Sequence, residues 1–275
     1  KRQGDDLYVE LLVTNRSRRK TQQLEVYDNV PHEMKLRSGL NQMRLNLKPG
    51  ESARIRYVLR CPLRGHYSIG PVSLRYRNTF NLSVDEMYVD HHSDIIIFPQ
   101  IRDVEEAFIR SRTAKMYTGA TTLRTPGPGT EFYSLREYVP GDPFKNINWK
   151  AFARTGDLMI NEKCRDAVTD LYIILDSRDI ARIGTVLKNP LEMGTVAAAS
   201  LASFFLKRRD SVSLTIYDER LSFLPPDTGD KQYFKILSSL AGVAPKGTMP
   251  LQAVTNSLAA RFSRGSPVFI ISSCE

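Results

Sequence analysis

The spacing of apolar residues changes period part-way along this chain, and no single-layer fold accommodates both periods. From Leu7 to Phe98 apolar and polar residues alternate, as in Leu7, Val9, Leu11 and Val13 and again in Ala53, Ile55, Tyr57 and Leu59. Successive side chains of a strand point to opposite faces, so this alternation predicts strands with one face buried. Asn15, Pro31, Gly39, Pro49-Gly50, Pro62, Gly65 and Gly70-Pro71 fall between the runs, where such residues let the chain reverse. Several short strands parted by turns predict an all-β sandwich of the immunoglobulin or fibronectin kind over residues 1–98.

Beyond residue 166 the pattern is different. Leu171 to Leu175 is a continuous apolar run that ends in Asp176, as expected of a strand covered on both faces in a parallel sheet. Asn189, Pro190 and Glu192 suit the N-cap, first and third positions of a helix, whose body carries Ala197, Leu201 and Phe205 at i, i+4 spacing. Lys207, Arg208 and Arg209 complement its C-terminal dipole. A strand through Val212, Leu214 and Ile216 follows, then a helix with Tyr233, Ile236, Leu237 and Leu240 on one face that stops at Gly242. Leu251, Val254, Leu258 and Phe262 predict another helix before Gly265, and Val268 to Ile271 one more buried strand. Strand and helix alternate, so the predicted fold is multidomain: an N-terminal sandwich, then an α/β doubly wound, Rossmann-type domain over 166–275. That sheet has fewer units than is usual, which leaves a natural end and a truncation both open.

Between the two regions, residues 99–129 read as a charged, breaker-rich connector with one short helix, and 130–165 as a distinct motif-dense segment. In that segment Glu131, Arg136, Glu137, Asp142 and Arg154 interleave with Phe132, Leu135, Tyr138, Ile147 and the only tryptophan, Trp149. Such a segment docks its apolar members while its arginines pair bidentately with carboxylates. It reads first as an internal brace between domains and second as a partner-binding surface.

The stretch from Gly129 through Glu131, Phe132, Leu135, Arg136, Glu137, Tyr138, Gly141 and Asp142, then Ile147, Trp149 and Arg154, resembles the signature of the family called domain of unknown function 58. Lys145 and Asn148 stand where Arg and Asp are more usual, and Asn78 to Asn81 replace an Asp-Pro-Phe-Gly-like stretch. Leu63 to Pro71 fits the sandwich-like region that family members carry upstream. The resemblance implies a von Willebrand factor A-like form for the α/β domain. It also implies a membrane-associated, cytoplasm-facing protein that works with a MoxR-type AAA+ ATPase. Metal-binding domains of that form hold a divalent cation with Asp-x-Ser-x-Ser, a threonine and a third-loop aspartate, hard oxygen ligands that suit Mg2+. This chain offers Asp176 and Thr248, but Arg178 and Ile180 replace the two serines, and Ser272 and Ser273 stand where the last Asp is expected. The Arg178 guanidinium is placed to pair with Asp176 in the cation's stead.

Composition bounds the function. No apolar run reaches the roughly 20 residues of a membrane-spanning helix, and the chain opens at Lys1 without an initiator Met, so an upstream segment such as a membrane anchor is expected. The net charge of +9 favours acidic surfaces, and Arg16, Arg18, Arg19 and Lys20 suit an anionic inner leaflet. Cys61, Cys164 and Cys274 show neither disulfide nor zinc spacing, which fits a reducing cytoplasm. The histidines form no HExxH, and no phosphate-cradling glycine loop or catalytic triad spacing is legible. Nucleic-acid binding has only the positive balance behind it, without a helix-turn-helix or RNP-like motif. The leading expectation is a non-catalytic protein-interaction scaffold with no cofactor. The alternative is a divalent-metal-dependent binding protein or enzyme with its site at the sheet edge.

Overall fold

The computed structural model describes residues 1–77, 84–104, 121–126, 132–167, 170–263 and 266–273. The expected connector helix, Asn78 to Asn81, Glu131 and Cys274 lie outside these residues. The alternating region folds into antiparallel strands: β1 (Asp6–Thr14), β2 (Thr21–Asp28), β3 (Lys35–Gly39), β4 (Gln42–Leu47), β5 (Ser52–Arg60), β6 (Gly65–Ile69), β7 (Val72–Arg77), β8 (Val84–Val89) and β9 (Ser93–Ile97). They form sheets ordered β1-β5-β3, β4-β2-β7-β8 and β6-β9. The register pairs Leu7 with Leu59, Val9 with Tyr57, Leu11 with Ile55 and Val13 with Ala53, so the two alternating runs turn their apolar faces the same way. That face meets Leu24, Val26, Leu45, Leu47, Val72 and Ile97 from the other sheets in one core. On the outer face Arg44, Glu25, Arg75 and Glu86 stand in one cross-strand row, ion-paired Arg44 to Glu25 and Arg75 to Glu86, an arrangement that stabilises neighbouring strands.

One polar pair sits inside this core. The Tyr57 hydroxyl donates to Asp28 Oδ2 at 2.7 Å. Burial pushes the Asp28 carboxyl above its ordinary value, against the lowering effect of that hydrogen bond. Tyr57→Phe removes the donor and leaves the carboxyl short of a partner, and the expected loss is about 1–3 kcal/mol. A raised carboxyl favours the folded state below its ordinary value, and that contribution is lost as pH rises through the folded value. Urea midpoints of the variant should therefore fall further behind wild type at neutral pH than in mild acid.

The C-terminal sheet is built from β13 (Asp170–Asp176), β14 (Ser211–Tyr217), β15 (Leu221–Asp227) and β16 (Val268–Ile271), in the order β15-β14-β13-β16. The helices are α1 (Trp149–Thr155), α2 (Pro190–Lys207), α3 (Gly229–Ala241) and α4 (Leu251–Leu258). Strand β13 runs parallel to β14 and β16. Leu171, Ile173, Leu175, Val212, Leu214 and Ile216 pack against α2 and α3 on one face. On the opposite face Ile174 and Tyr217 meet Val254 and Leu258 of α4. Asn189 caps α2 as its sequence predicts, its side chain accepting from Glu192 N at 2.8 Å.

Three expectations are corrected. Strand and helix do not strictly alternate, because β15 returns antiparallel to β14; it contains Pro225 and Pro226, and an edge strand tolerates missing N–H donors. Strand β16 is not buried on both faces, since Val268 and Ile270 are exposed. The inward face of α2 does not run through Ala197, which is exposed, but through Gly194, Ala198 and Ala202. Those small residues bring the helix close to the sheet: a Cβ on Gly194 would lie 2.9 Å from Leu175 Cδ1 and 3.2 Å from Ile271 Cγ2.

The two cores are joined by Arg64, whose side chain is only 4% exposed. Its Nη1 donates to the carbonyls of Leu240, at 2.7 Å, and Val243, at 2.7 Å, at the end of α3, and its Nη2 lies 2.9 Å from Glu192 Oε1 in α2. A cation at a helix C-terminus satisfies carbonyls that have no partner inside the helix. Phe98 packs edge-on to Phe234, with centroids 6.2 Å apart, and Arg102 N donates to Ser200 Oγ at 2.9 Å, so the chain leaving β9 lies along the same helices.

Candidate functional sites: an exposed aromatic face and the carboxyl edge of the sheet

The motif-dense segment folds as a small sheet of its own, β10 (Thr121–Pro126), β11 (Phe132–Glu137) and β12 (Met159–Ala167), in the order β10-β12-β11. Strand β10 lies where a connector was expected. Arg136 organises the segment. Its Nη1 and Nη2 donate to Asp142 Oδ2 and Oδ1 at 2.6 and 2.7 Å, and its Nε donates to Glu162 Oε1 at 2.8 Å. Asp142 also accepts from Val139 N at 3.0 Å, and these donors hold its carboxyl below the ordinary value, the Arg136 bonds foremost. Gly141 turns the chain at φ +112° so that Asp142 can reach back.

The segment was expected first as a brace between domains. The bidentate pair forms, but it closes within the segment, and the work of joining the cores falls to Arg64. The signature residues part company accordingly. Arg136 and Asp142 come together, while Glu137 and Arg154 lie exposed beside them. Tyr138 stacks on Phe144 with centroids 5.9 Å apart. Helix α1 follows, held by its ends: Asn148 Oδ1 accepts from Ala151 N at 2.9 Å, and Gly156 adopts φ +81° as the C-cap. Ile147 and Ile160 are buried beneath it, yet no residue of α1 itself is buried. Phe144 is 71% exposed, Trp149 62% and Phe132 61%, with Val139 and Phe152 also exposed. Lys145, in the turn before α1, and Lys150 and Arg154, in α1 itself, are exposed as well.

The second site lies where β13, β14 and β16 end. Asp176, with a side chain 1% exposed, engages both oxygens: Oδ1 accepts from Arg178 N at 3.1 Å and Nε at 3.0 Å, and Oδ2 from Arg178 Nη2 and Ser272 Oγ, each at 2.7 Å. Burial pushes the Asp176 carboxyl up, but these donors more than offset it and its value falls below normal. Beneath the guanidinium, 5.7 Å from it, is the ring of Tyr217, whose hydroxyl is pushed up to about 12 by burial and by Asp176. The loop that carries Thr248 is here too: Lys246 N donates to Ser177 O at 2.8 Å and Asp179 N to Gly247 O at 2.9 Å. Gly247 is at φ +74°, and a Cβ there would come within 2.6 Å of Glu219 N, so both the conformation and the space call for glycine. Thr248 itself is exposed, and among the described residues no hydrogen bond joins it to Asp176. Among those residues no group of three or more His, Cys, Asp or Glu side chains is placed to hold a metal ion.

A family model described as "Protein of unknown function DUF58" matches residues 134–274, from β11 through β16. The chain belongs to this family. The DUF58 match therefore takes in Arg136, Asp142, Trp149, Asp176, Arg178 and Thr248. Over 76 residues the chain is also 28% identical to the uncharacterized proteins Mb1516 of Mycobacterium bovis and Rv1480 of Mycobacterium tuberculosis. That stretch is 28% of this chain and 24% of each relative, so the match spans about a quarter of the length of these curated proteins.

Sequence reasoning missed one grouping in the sandwich. Ser68 Oγ lies 3.4 Å from His92 Nδ1, and His92 Nε2 lies 3.0 Å from Asp90 Oδ1, the order of a nucleophile, base and orienting acid. Residue types this common, one on β6 and two in the turn between β8 and β9, give no sequence signal. Ser68, however, donates its hydroxyl to Asp94 Oδ1 at 2.8 Å rather than to the imidazole, and Asp90 is 94% exposed and orients nothing. The serine is not activated. Among the described residues no helix is long and apolar enough to cross a membrane.

Proposed function

We propose that this chain is a non-catalytic protein-interaction scaffold whose docking face is the surface of β11 and α1. The supporting observation is the exposure of Phe132, Phe144, Trp149 and Phe152 on a segment whose central charges are already paired with one another. A seven-residue helix gains little from propensity alone, and α1 buries none of its own residues. It is capped and presented rather than packed. Aromatic anchors on a preorganised frame, ringed by Lys145, Lys150 and Arg154, are what a protein partner with an acidic rim engages.

In the same reading, residues 1–98 are the sandwich domain, the docking segment takes in the sheet β10-β12-β11 and so runs from 121 to 167 rather than from 130 to 165, and the α/β unit after it is a von Willebrand factor A-like domain. The partner class, a MoxR-type AAA+ ATPase at the cytoplasmic face of a membrane, comes from the family resemblance alone. Affinity capture of the tagged full-length protein from its own cells, followed by mass spectrometry, tests the proposal. Wild type should recover a AAA+ ATPase, and a Phe144→Ala, Trp149→Ala variant with unchanged circular dichroism should recover at least tenfold less, as loss of aromatic hot spots worth about 2 kcal/mol each implies. Equal recovery by the variant rules out this face, and recovery of nucleic acid alone rules out the scaffold.

A further inference from the structure

We infer that the Arg178 guanidinium is the resident cation of the sheet's carboxyl edge, standing where a von Willebrand factor A-like domain would hold a divalent metal ion. The donor set excludes a shared arrangement. Magnesium requires near-octahedral oxygen ligands at short range, whereas both Asp176 oxygens here are taken by Arg178 and Ser272 at 2.7–3.1 Å. Arg178 and Ile180 stand at the two positions where hydroxyl ligands would be needed.

The guanidinium is held as well as paired. Tyr217, fully buried, lies under its plane, and the Asp176 fork fixes its orientation through Nε and Nη2. A planar fork satisfies a carboxylate bidentately, which a hydrated point charge cannot do. The surrounding loops are knitted by backbone bonds that need no metal: Ser177 N to Tyr217 O at 3.0 Å, Lys246 N to Ser177 O at 2.8 Å and Asp179 N to Gly247 O at 2.9 Å. Arg178 is thus a positioning residue that neutralises Asp176, the buried carboxylate among the described residues at the convergence of these loops. The edge is set permanently, and its contacts are indifferent to magnesium and to chelators.

The inference rests on the von Willebrand-like reading of this edge and not on the docking face. Thermal unfolding of the intact chain, in excess EDTA and in millimolar MgCl2, tests it. Wild type should give one Tm in both. Arg178→Ser exposes Asp176 and adds a hydroxyl, so its Tm in EDTA should fall by about 6–12 °C and climb back toward wild type in MgCl2. Asp176→Asn combined with Arg178→Ser should abolish that response. Arg178→Lys, which keeps the charge, should remain blind to magnesium and decides the matter if the serine variant does not fold. A wild-type Tm that rises in MgCl2, a lysine variant that does so, or a serine variant that folds without responding overturns the inference. None of these results bears on capture through Trp149, so the two readings fail separately.

Discussion

Replacing Arg64 with alanine should cost about 3–5 kcal/mol of stability, the range found when one partner of a buried ion pair is removed. Three consequences combine. Glu192 is left with a largely buried carboxylate that has lost its Arg64 counter-charge, and among the described residues its Oε2 has no hydrogen-bond partner even in the wild type. The carbonyls of Leu240, Ala241 and Val243 lose the donor that closes the end of α3. The sandwich loses its main polar tie to the α/β sheet. Urea unfolding followed by circular dichroism measures the drop, and Arg64→Lys should recover only part of it, because an ammonium cannot serve carbonyls and carboxylate with one rigid fork. A midpoint within error of wild type would mean that Phe98, Phe234 and the Arg102 to Ser200 bond suffice to hold the cores together.

Asp176→Asn should produce a loss of similar size, about 3–5 kcal/mol, since it strands a mostly buried guanidinium. It should also change the pH profile. The Asp176 carboxyl is held below its ordinary 3.8, so its contribution is complete above that value and is lost as pH falls through the lower folded value. Wild type therefore carries an acid limb below the ordinary carboxylate range that the asparagine variant lacks. Stability measured from neutral pH downward checks this, and parallel curves for the two proteins would show that the Arg178 pair does not stabilise the fold.

Much of the architecture was legible because its cause is local. Period-2 runs such as Leu7 to Val13 and Ala53 to Leu59 place their residues on the core face whatever they pair with, and Asn189 and Pro190 start a helix by their own chemistry. What was not legible depends on distant partners. Arg64 looks like any basic residue in a turn, and only the folded chain brings it to the end of α3. Gly194, Ala198 and Ala202 mark a close helix-to-sheet approach, yet a hydrophobicity pattern passes over residues that small. The motif residues were recognisable, but whether Phe132 and Trp149 face inward or outward is a property of what surrounds them. Asp176 and Arg178 were readable as a pair because they are two residues apart, whereas the Ser272 hydroxyl that completes the set arrives from the far end of the sheet.

The two prolines in β15 carry a further consequence. An outermost strand ordinarily offers a row of amide donors on which a second chain can template itself, the route by which exposed edges seed aggregates. Pro225 and Pro226 have no N–H to offer, and the carbonyl of Pro225 is already engaged by Gln232 Nε2 at 2.8 Å. Adjacent residues of a strand point their N–H groups to opposite sides, so of the two prolines one leaves a gap in the outward row of donors that a stray strand would need. The template that β15 offers on that side is thus interrupted near its end, beside the buried strand β14.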